Sequence, residues 1–360
     1  MNLSGLRSHN TALVLGLLRA AGEDGVSRLE LAERTGLTPQ AVSKITARLR
    51  DEGLAADAGR GASTGGKPRT LLRLVPGAAH AVGLHLDRDE LTAVLVDLAG
   101  VTVAARTRPL DLGAGTDEVL GVAATEVAAL RRDGTLMGVG VAMPGPLDHT
   151  TGVTHRVTGF PAWDGFPLRD ALRDALSEEP GDDLPVALDK DTNAAALALA
   201  LRGGDPVPPG PSFAYVHVGT GLGAGLVLGG GLHRGARTGA GEFGHQTVQL
   251  DGVPCGCGAR GCLEALCLAA LARGDLEEAA RVLGVGAANL AGLLDIDRVL
   301  LGGRAVAAAP EPFVRGVGAA LAARAHRAGE PAVPVALATG SPHLVAEGAA
   351  HLVLAPLFGR

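Results

Sequence analysis

The apolar pattern of this chain is written twice, and that repetition limits the folds open to it. Residues 81–86, 91–97 and 101–106 alternate or run apolar between turn residues, which predicts three antiparallel strands. A helix is expected over 116–132, a buried strand over 137–142, a second strand over 186–189 and a helix over 192–202. From Phe213 the pattern restarts with strands over 213–218, 223–228 and 232–234, then strand–helix alternation through 299–301 and 333–338. Two halves built as a meander followed by alternating helices predict a duplicated α/β domain, with lobes 77–203 and 204–360 around a cleft. Clefts of this kind hold ligands.

Residues 1–76 precede that repeat and read differently. An apolar face over 11–20, capped by Asn10 or Thr11, predicts a first helix. Ser27 with Glu30 three residues on forms a capping box for a second helix over 28–35. Gly36 then supplies a turn, and Thr38 caps a third helix that begins with Pro39. That order is the helix-turn-helix of a DNA-reading module. The third helix buries Val42, Ile45 and Leu49 and is expected to expose Gln40, Ser43, Lys44, Thr46 and Arg48, with Thr38 at its start, toward bases and phosphates. Strands over 54–57 and 70–74 flank a Gly-rich tip carrying Arg60, Lys67 and Arg69, a basic wing able to follow a phosphate strand or enter a minor groove.

Charge agrees with that division. Residues 1–75 hold eleven Lys/Arg against seven Asp/Glu, whereas the rest holds twenty-one against thirty-one, a basic head on an acidic body. The polar start MNLSGLRSHN and the lack of an apolar run of spanning length predict a cytoplasmic protein with no membrane partner. All four cysteines, at 255, 257, 262 and 267, fall in one short stretch, which favours metal binding over a disulfide framework. His245 with Cys255, Cys257 and Cys262 offers four N/S ligands suited to tetrahedral Zn2+ with no position left for water, while buried thiols are the competing reading. Cys267 lies outside that spacing and reads as a small core residue.

Five segments carry a resemblance: Val139-Gly-Val-Ala-Met-Pro-Gly-Pro, Asp191-Thr-Asn193, Val218-Gly-Thr-Gly-Leu-Gly-Ala-Gly225, Gly241-Glu-Phe-Gly-His245 and Cys255-Gly-Cys-Gly-Ala-Arg-Gly-Cys-Leu-Glu264. Together they resemble the ROK family of repressors, open reading frames and sugar kinases; with the winged head, the match is to its repressor branch. The resemblance implies a duplicated actin-like ATPase (ribonuclease H-like) fold, a zinc site at His245, Cys255, Cys257 and Cys262, and a sugar or sugar-phosphate ligand. It also implies a homodimer or homotetramer acting on a double-stranded DNA operator. Glu242, His245 and Glu264 take the sugar-binding role, and Asp191 matches the aspartate that in the kinases accepts the sugar hydroxyl's proton.

Phosphoryl transfer needs two phosphate cradles. Gly219, Thr220, Gly221 and Gly223 form one, with backbone N–H groups and a hydroxyl for an anion. The family's other cradle is an Asp-x-Gly-Gly-Thr turn, which here reads Asp87-Arg88-Asp89-Glu90, so its glycines are replaced by groups that repel phosphate. A ligand-sensing regulator without catalysis is therefore expected, Asp191 being vestigial, with an ATP-dependent sugar kinase carrying a regulatory head as the alternative. Lys190 stands where the family has Asn and either recruits an anionic ligand or neutralises Asp189 and Asp191.

Overall fold

The computed structural model describes residues 8–60, 69–177, 184–201 and 212–359. The head begins with α1 (His9–Ala21), capped by Ser8 rather than by Asn10 or Thr11 because the Ser8 hydroxyl accepts from the Thr11 amide. Strand β1 (Val26–Ser27) leads into α2 (Arg28–Thr35), where both arms of the capping box form between Ser27 and Glu30. Gly36 closes α2 in the left-handed region at φ 70°, and α3 (Pro39–Asp51) starts under the Thr38 cap. Strands β2 (Ala55–Arg60) and β3 (Thr70–Leu74) pair antiparallel, and β1 joins the far edge of β3. The wing is thus a three-stranded sheet.

The body repeats one topology. In the first lobe β4 (Ala79–Leu86), β5 (Glu90–Asp97) and β6 (Thr102–Pro109) form an antiparallel meander. Helix α4 (Thr116–Leu130) returns the chain so that β7 (Thr135–Met143) lies parallel to β4. After the short hairpin β8 (Leu147–Asp148) and β9 (Val153–Thr154) and helix α5 (Leu168–Leu176), β10 (Val186–Lys190) lies parallel to β7. Helix α6 (Asp191–Leu201) follows at once.

The second lobe makes the same moves. Strands β11 (Phe213–Val218), β12 (Leu222–Leu228) and β13 (Gly231–His233) form its meander. Helices α7 (Leu263–Ala272) and α8 (Leu276–Leu294) lead to β14 (Arg298–Gly302), parallel to β11. Helices α9 (Arg304–Ala308) and α10 (Pro310–Ala328) lead to β15 (Val335–Leu337), parallel to β14. The sheet orders β10-β7-β4-β5-β6 and β15-β14-β11-β12-β13 correspond strand for strand.

One element departs from the expected lobe boundary. Helix α11 (Leu344–Leu354), near the end of the chain, packs on β4, β7 and α6 of the first lobe rather than staying with the second. Glycines make this approach possible. A Cβ on Gly83 or Gly140 would lie 1.9 or 1.8 Å from the carbonyl oxygens of Ala346 and Ala349, and one on Gly348 would lie 1.8 Å from that of Ala194. Beyond α11, Leu357 and Phe358 meet α1 of the head, where the Arg19 guanidinium sits 4.9 Å from the Phe358 ring centre. A single apolar core therefore joins Val14, Leu18 and Leu49 of the head to Val94 and Val96 of the first lobe and to Ala350 and Leu354 of α11. Among the described residues no helix is long and apolar enough to cross a membrane.

Candidate functional site

The head presents Thr38, Gln40, Ser43 and Lys44 together, all exposed, on the N-terminal half of α3. Two neighbours expected on that face are elsewhere. Thr46 is buried, its hydroxyl bonded to the Val42 carbonyl at 2.8 Å, as a hydroxyl is when it satisfies itself within its own helix. Arg48 is drawn in toward α1 and donates to the Thr11 hydroxyl at 2.7 Å, which makes it a strut between two helices rather than a free contact. Ile45, expected in the core, is half-buried. Arg69 is exposed at the base of the wing; Lys67 and the side chain of Arg60 lie outside the described residues.

The Gly-Glu-Phe-Gly-His segment runs tight against β12. A Cβ on Gly241 would meet the Ala224 carbonyl at 1.9 Å, and one on Gly244 the Leu222 carbonyl at 2.4 Å, so both glycines are required for the segment to lie there. It ends in a single 3-10 turn that carries His245. The cysteine loop folds back by left-handed turns at Gly258 (φ 93°) and Gly261 (φ 64°), with bridges between Thr247 and Cys262 and between Pro254 and Arg260.

These turns bring one atom each from His245, Cys255, Cys257 and Cys262 within 4.8 Å of one another. Cys257 and Cys262 sulfurs are 3.7 Å apart, and Cys255 Sγ is 3.8 Å from His245 Nδ1. Sulfurs bound tetrahedrally at about 2.3 Å stand roughly 3.8 Å apart, so the donor set and its spacing fit zinc. Backbone N–H donation from Ala259 lowers the Cys257 thiol, whereas burial and the neighbouring sulfurs push Cys262 up to about 12. A cation among them favours the thiolates. Cys267 sits apart, fully buried, with its sulfur 3.6 Å from the Ala279 carbonyl.

His245 also lines the cleft between the lobes, a space of about 680 Å³ shared with Asp87, Lys190, Asp191, Thr220, Glu242 and Glu264. Asp191 opens α6 and accepts from the Thr192 amide at 2.6 Å. Burial dominates its electrostatics and raises its carboxyl to about 6. The native state therefore holds a proton that the unfolded chain releases, so Asp191 lowers stability progressively from about pH 4 to about pH 6 and stays unfavourable above that. Asp191→Asn should raise stability at pH 7.5 by up to about 3 kcal/mol, with the gain fading toward pH 4. Thermal melts of both proteins at the two pH values check this, and a pH-independent difference would refute it.

Lys190 is almost fully buried and donates to the Ala240 carbonyl at 2.6 Å and to Glu242 Oε1 at 3.0 Å. It thus neutralises Glu242 and not Asp189, which is held by Arg234 and Asn193 at 2.6 and 2.7 Å. Glu264, in the first turn of α7, accepts from the Leu222 amide at 2.8 Å. That carboxylate occupies one N–H of the Gly219–Gly223 loop, and the Gly219 amide is spent on the Gly221 carbonyl at 3.0 Å.

Residues 81–273, more than half of the chain, match the ROK family, and residues 11–55 match the winged helix-turn-helix DNA-binding family. The chain belongs to the ROK family. The xylose repressor of Bacillus subtilis (strain 168) is 27% identical over 243 residues, 66% of this chain and 61% of that protein. The transcriptional dual regulator NagC of Escherichia coli is 29% identical over 271 residues, 74% and 64% respectively. This chain thus spans about 60% of the length of such relatives. Among solved structures, a ROK hexokinase from Thermus thermophilus is 30% identical, covers 75% of this chain and 96% of its own, and superposes with a TM-score of 0.62. A ROK transcriptional regulator, a homologue of the Escherichia coli MLC protein, shares the fold over 97% of this chain and 98% of its own, with a TM-score of 0.73 at 20% identity.

In this ROK cleft and beside it, three residues escaped the sequence motifs. His85 and His217 are each the penultimate residue of the first strand of a lobe, β4 and β11, and burial lowers both imidazoles. Aligning the two halves of the sequence places them in register. Arg304, at the start of α9, crosses the lobes to donate to Asp89 at 3.0 and 3.1 Å and to Asp87 at 3.3 Å. No local pattern announces that pair, which is 215 residues apart in the chain.

Proposed function

We propose that this protein is a cytoplasmic DNA-binding transcriptional repressor, a homodimer or homotetramer whose hold on a double-stranded operator is modulated by a sugar or sugar phosphate in the zinc-braced cleft. The observation that carries the reading is the union of a winged helix-turn-helix and a ROK cleft through one apolar core. The xylose repressor and the transcriptional dual regulator named above support the same reading.

Zinc bound by His245, Cys255, Cys257 and Cys262 would hold the imidazole by one ring nitrogen and leave the other for a sugar hydroxyl. Glu242, Glu264 and Asp191 supply acceptors for further hydroxyls, and Lys190 fixes the Glu242 carboxylate. Phosphoryl transfer is disfavoured by Asp89 and Glu90, which replace the glycines of the first phosphate turn, and by the Glu264 carboxylate on the second loop. A ligand at Asp191 abuts α6, α6 abuts α11 at Gly348, and α11 runs on to Phe358 beneath α1. Unequal ligand affinity for two placements of this stack would shift the population of DNA-competent heads.

Lys44→Ala is expected to weaken operator binding about tenfold at fixed salt and to reduce the slope of affinity against salt by about one unit. Mobility shift on genomic footprint sites measures both, and unchanged affinity removes α3 as the reading helix. A coupled ATP-consumption assay over a sugar panel tests the rest: sugar-dependent turnover lost in Asp191→Asn would replace a regulator by a kinase.

A further inference from the structure

We propose that the cleft takes a disaccharide, with one ring against Asp191, Glu242 and Glu264 and the second in an adjoining chamber walled by Phe160. This rests on the reading of the cleft as a sugar site and names the class of sugar. An adjoining hollow, open to solvent, spans about 1240 Å³ against about 680 Å³ for the first and shares Thr158, Glu242 and His245 with it. Glu242 and His245 line the first space together with Asp191 and also line the second, which gives a ligand seated against them a way from one into the other.

The walls of that chamber suit a pyranose better than an ion or a flat apolar molecule. Pro146, Val157, Phe160 and Pro161 give it an apolar side, while Arg156 and Asp164, both exposed and 3.6 Å apart, supply polar groups. A sugar ring has the matching division, a flat face of C–H groups and a rim of hydroxyls, and binding sites pair apolar walls with a few placed polar groups. Phe160 is also held in place. Its amide donates to the Val157 carbonyl at 2.9 Å, and the Arg88 guanidinium lies 5.4 Å from its ring centre. Arg88 itself lines the first space, so this pair joins the wall of one to the wall of the other. A monosaccharide filling the first chamber would leave this preformed surface in water.

Calorimetry on the full-length, zinc-loaded protein tests the proposal with glucose and xylose against cellobiose, maltose and xylobiose. At least one disaccharide should bind tenfold or more tightly than its own monosaccharide. Pro161→Trp, at an exposed position in the chamber, should erase that gain while the monosaccharide Kd moves less than twofold, and Phe160→Leu should reduce it. Binding of a monosaccharide with no tighter disaccharide would overturn the second ring and leave the sugar site standing. Heat from none of the five would overturn both, and a gain that survives both substitutions would show that the second ring lies elsewhere.

Discussion

Cys262→Ser is expected to empty the metal site and to lower Tm by on the order of 10 °C. Cys262 is fully buried at the start of α7, and its sulfur closes the group of donors formed with His245, Cys255 and Cys257. Structural zinc contributes about 10–16 kcal/mol of apparent binding energy to small zinc-finger peptides. A lobe with its own apolar core depends on the ion for only part of that, and a loss of a few kcal/mol at roughly 2–4 °C per kcal/mol gives the expected shift. Apart from backbone hydrogen bonds such as Gly261 to Val253 and Cys255 to Ala259, the cysteine loop has little to hold it, because Val253 and Pro254 are exposed. Zinc content by mass spectrometry and thermal melting check the result. One zinc per chain retained in Cys262→Ser would refute the assignment, and Cys267→Ala should keep the metal because its sulfur faces the core.

Gly348→Val should destabilise the protein by about 3 kcal/mol or more, or prevent its folding. The obstacle is a backbone carbonyl, that of Ala194 in α6, at 1.8 Å from where the Cβ would stand, and no side chain can turn aside to relieve it. Helix α11 must then lift from α6, from β4 and from β7 together, opening the core that the head shares with the first lobe. Gly16→Ala in α1 is the control: its Cβ would lie at an ordinary 3.7 Å from the Phe358 carbonyl, and replacing a helical glycine gains roughly 0.5–1 kcal/mol. Urea unfolding of the two variants separates these outcomes, and a loss under 1 kcal/mol for Gly348→Val would mean that α11 is loosely seated.

Motifs whose partners lie within a few residues were legible at once. The Ser27–Glu30 box, the Thr38 cap and the left-handed Gly36 are local hydrogen bonds and local dihedrals, and each forms as its spacing predicts. The His245, Cys255, Cys257 and Cys262 cluster was legible too, since its glycines sit where the backbone must turn or pass close. The exposure expected on α3 is found at Gln40, Ser43 and Lys44 and not at Thr46 and Arg48, because periodicity gives the face of a helix but not what packs beside it. Thr11 of α1 stands beside Arg48, and only the packing of α1 on α3 puts it there.

By itself the sequence determined the winged head, the doubled α/β body and the gathering of His245, Cys255, Cys257 and Cys262, all of which rest on spacing along the chain. Tertiary structure alone decided that Lys190 serves Glu242, that Arg304 reaches Asp87 and Asp89, and that α11 returns to the first lobe. The reason is range. A turn, a cap or a chelating loop is closed by neighbours a few residues apart, whereas these three pairings join residues 52 to 217 positions apart or seat a helix through glycines whose need for a missing Cβ depends on the surface opposite.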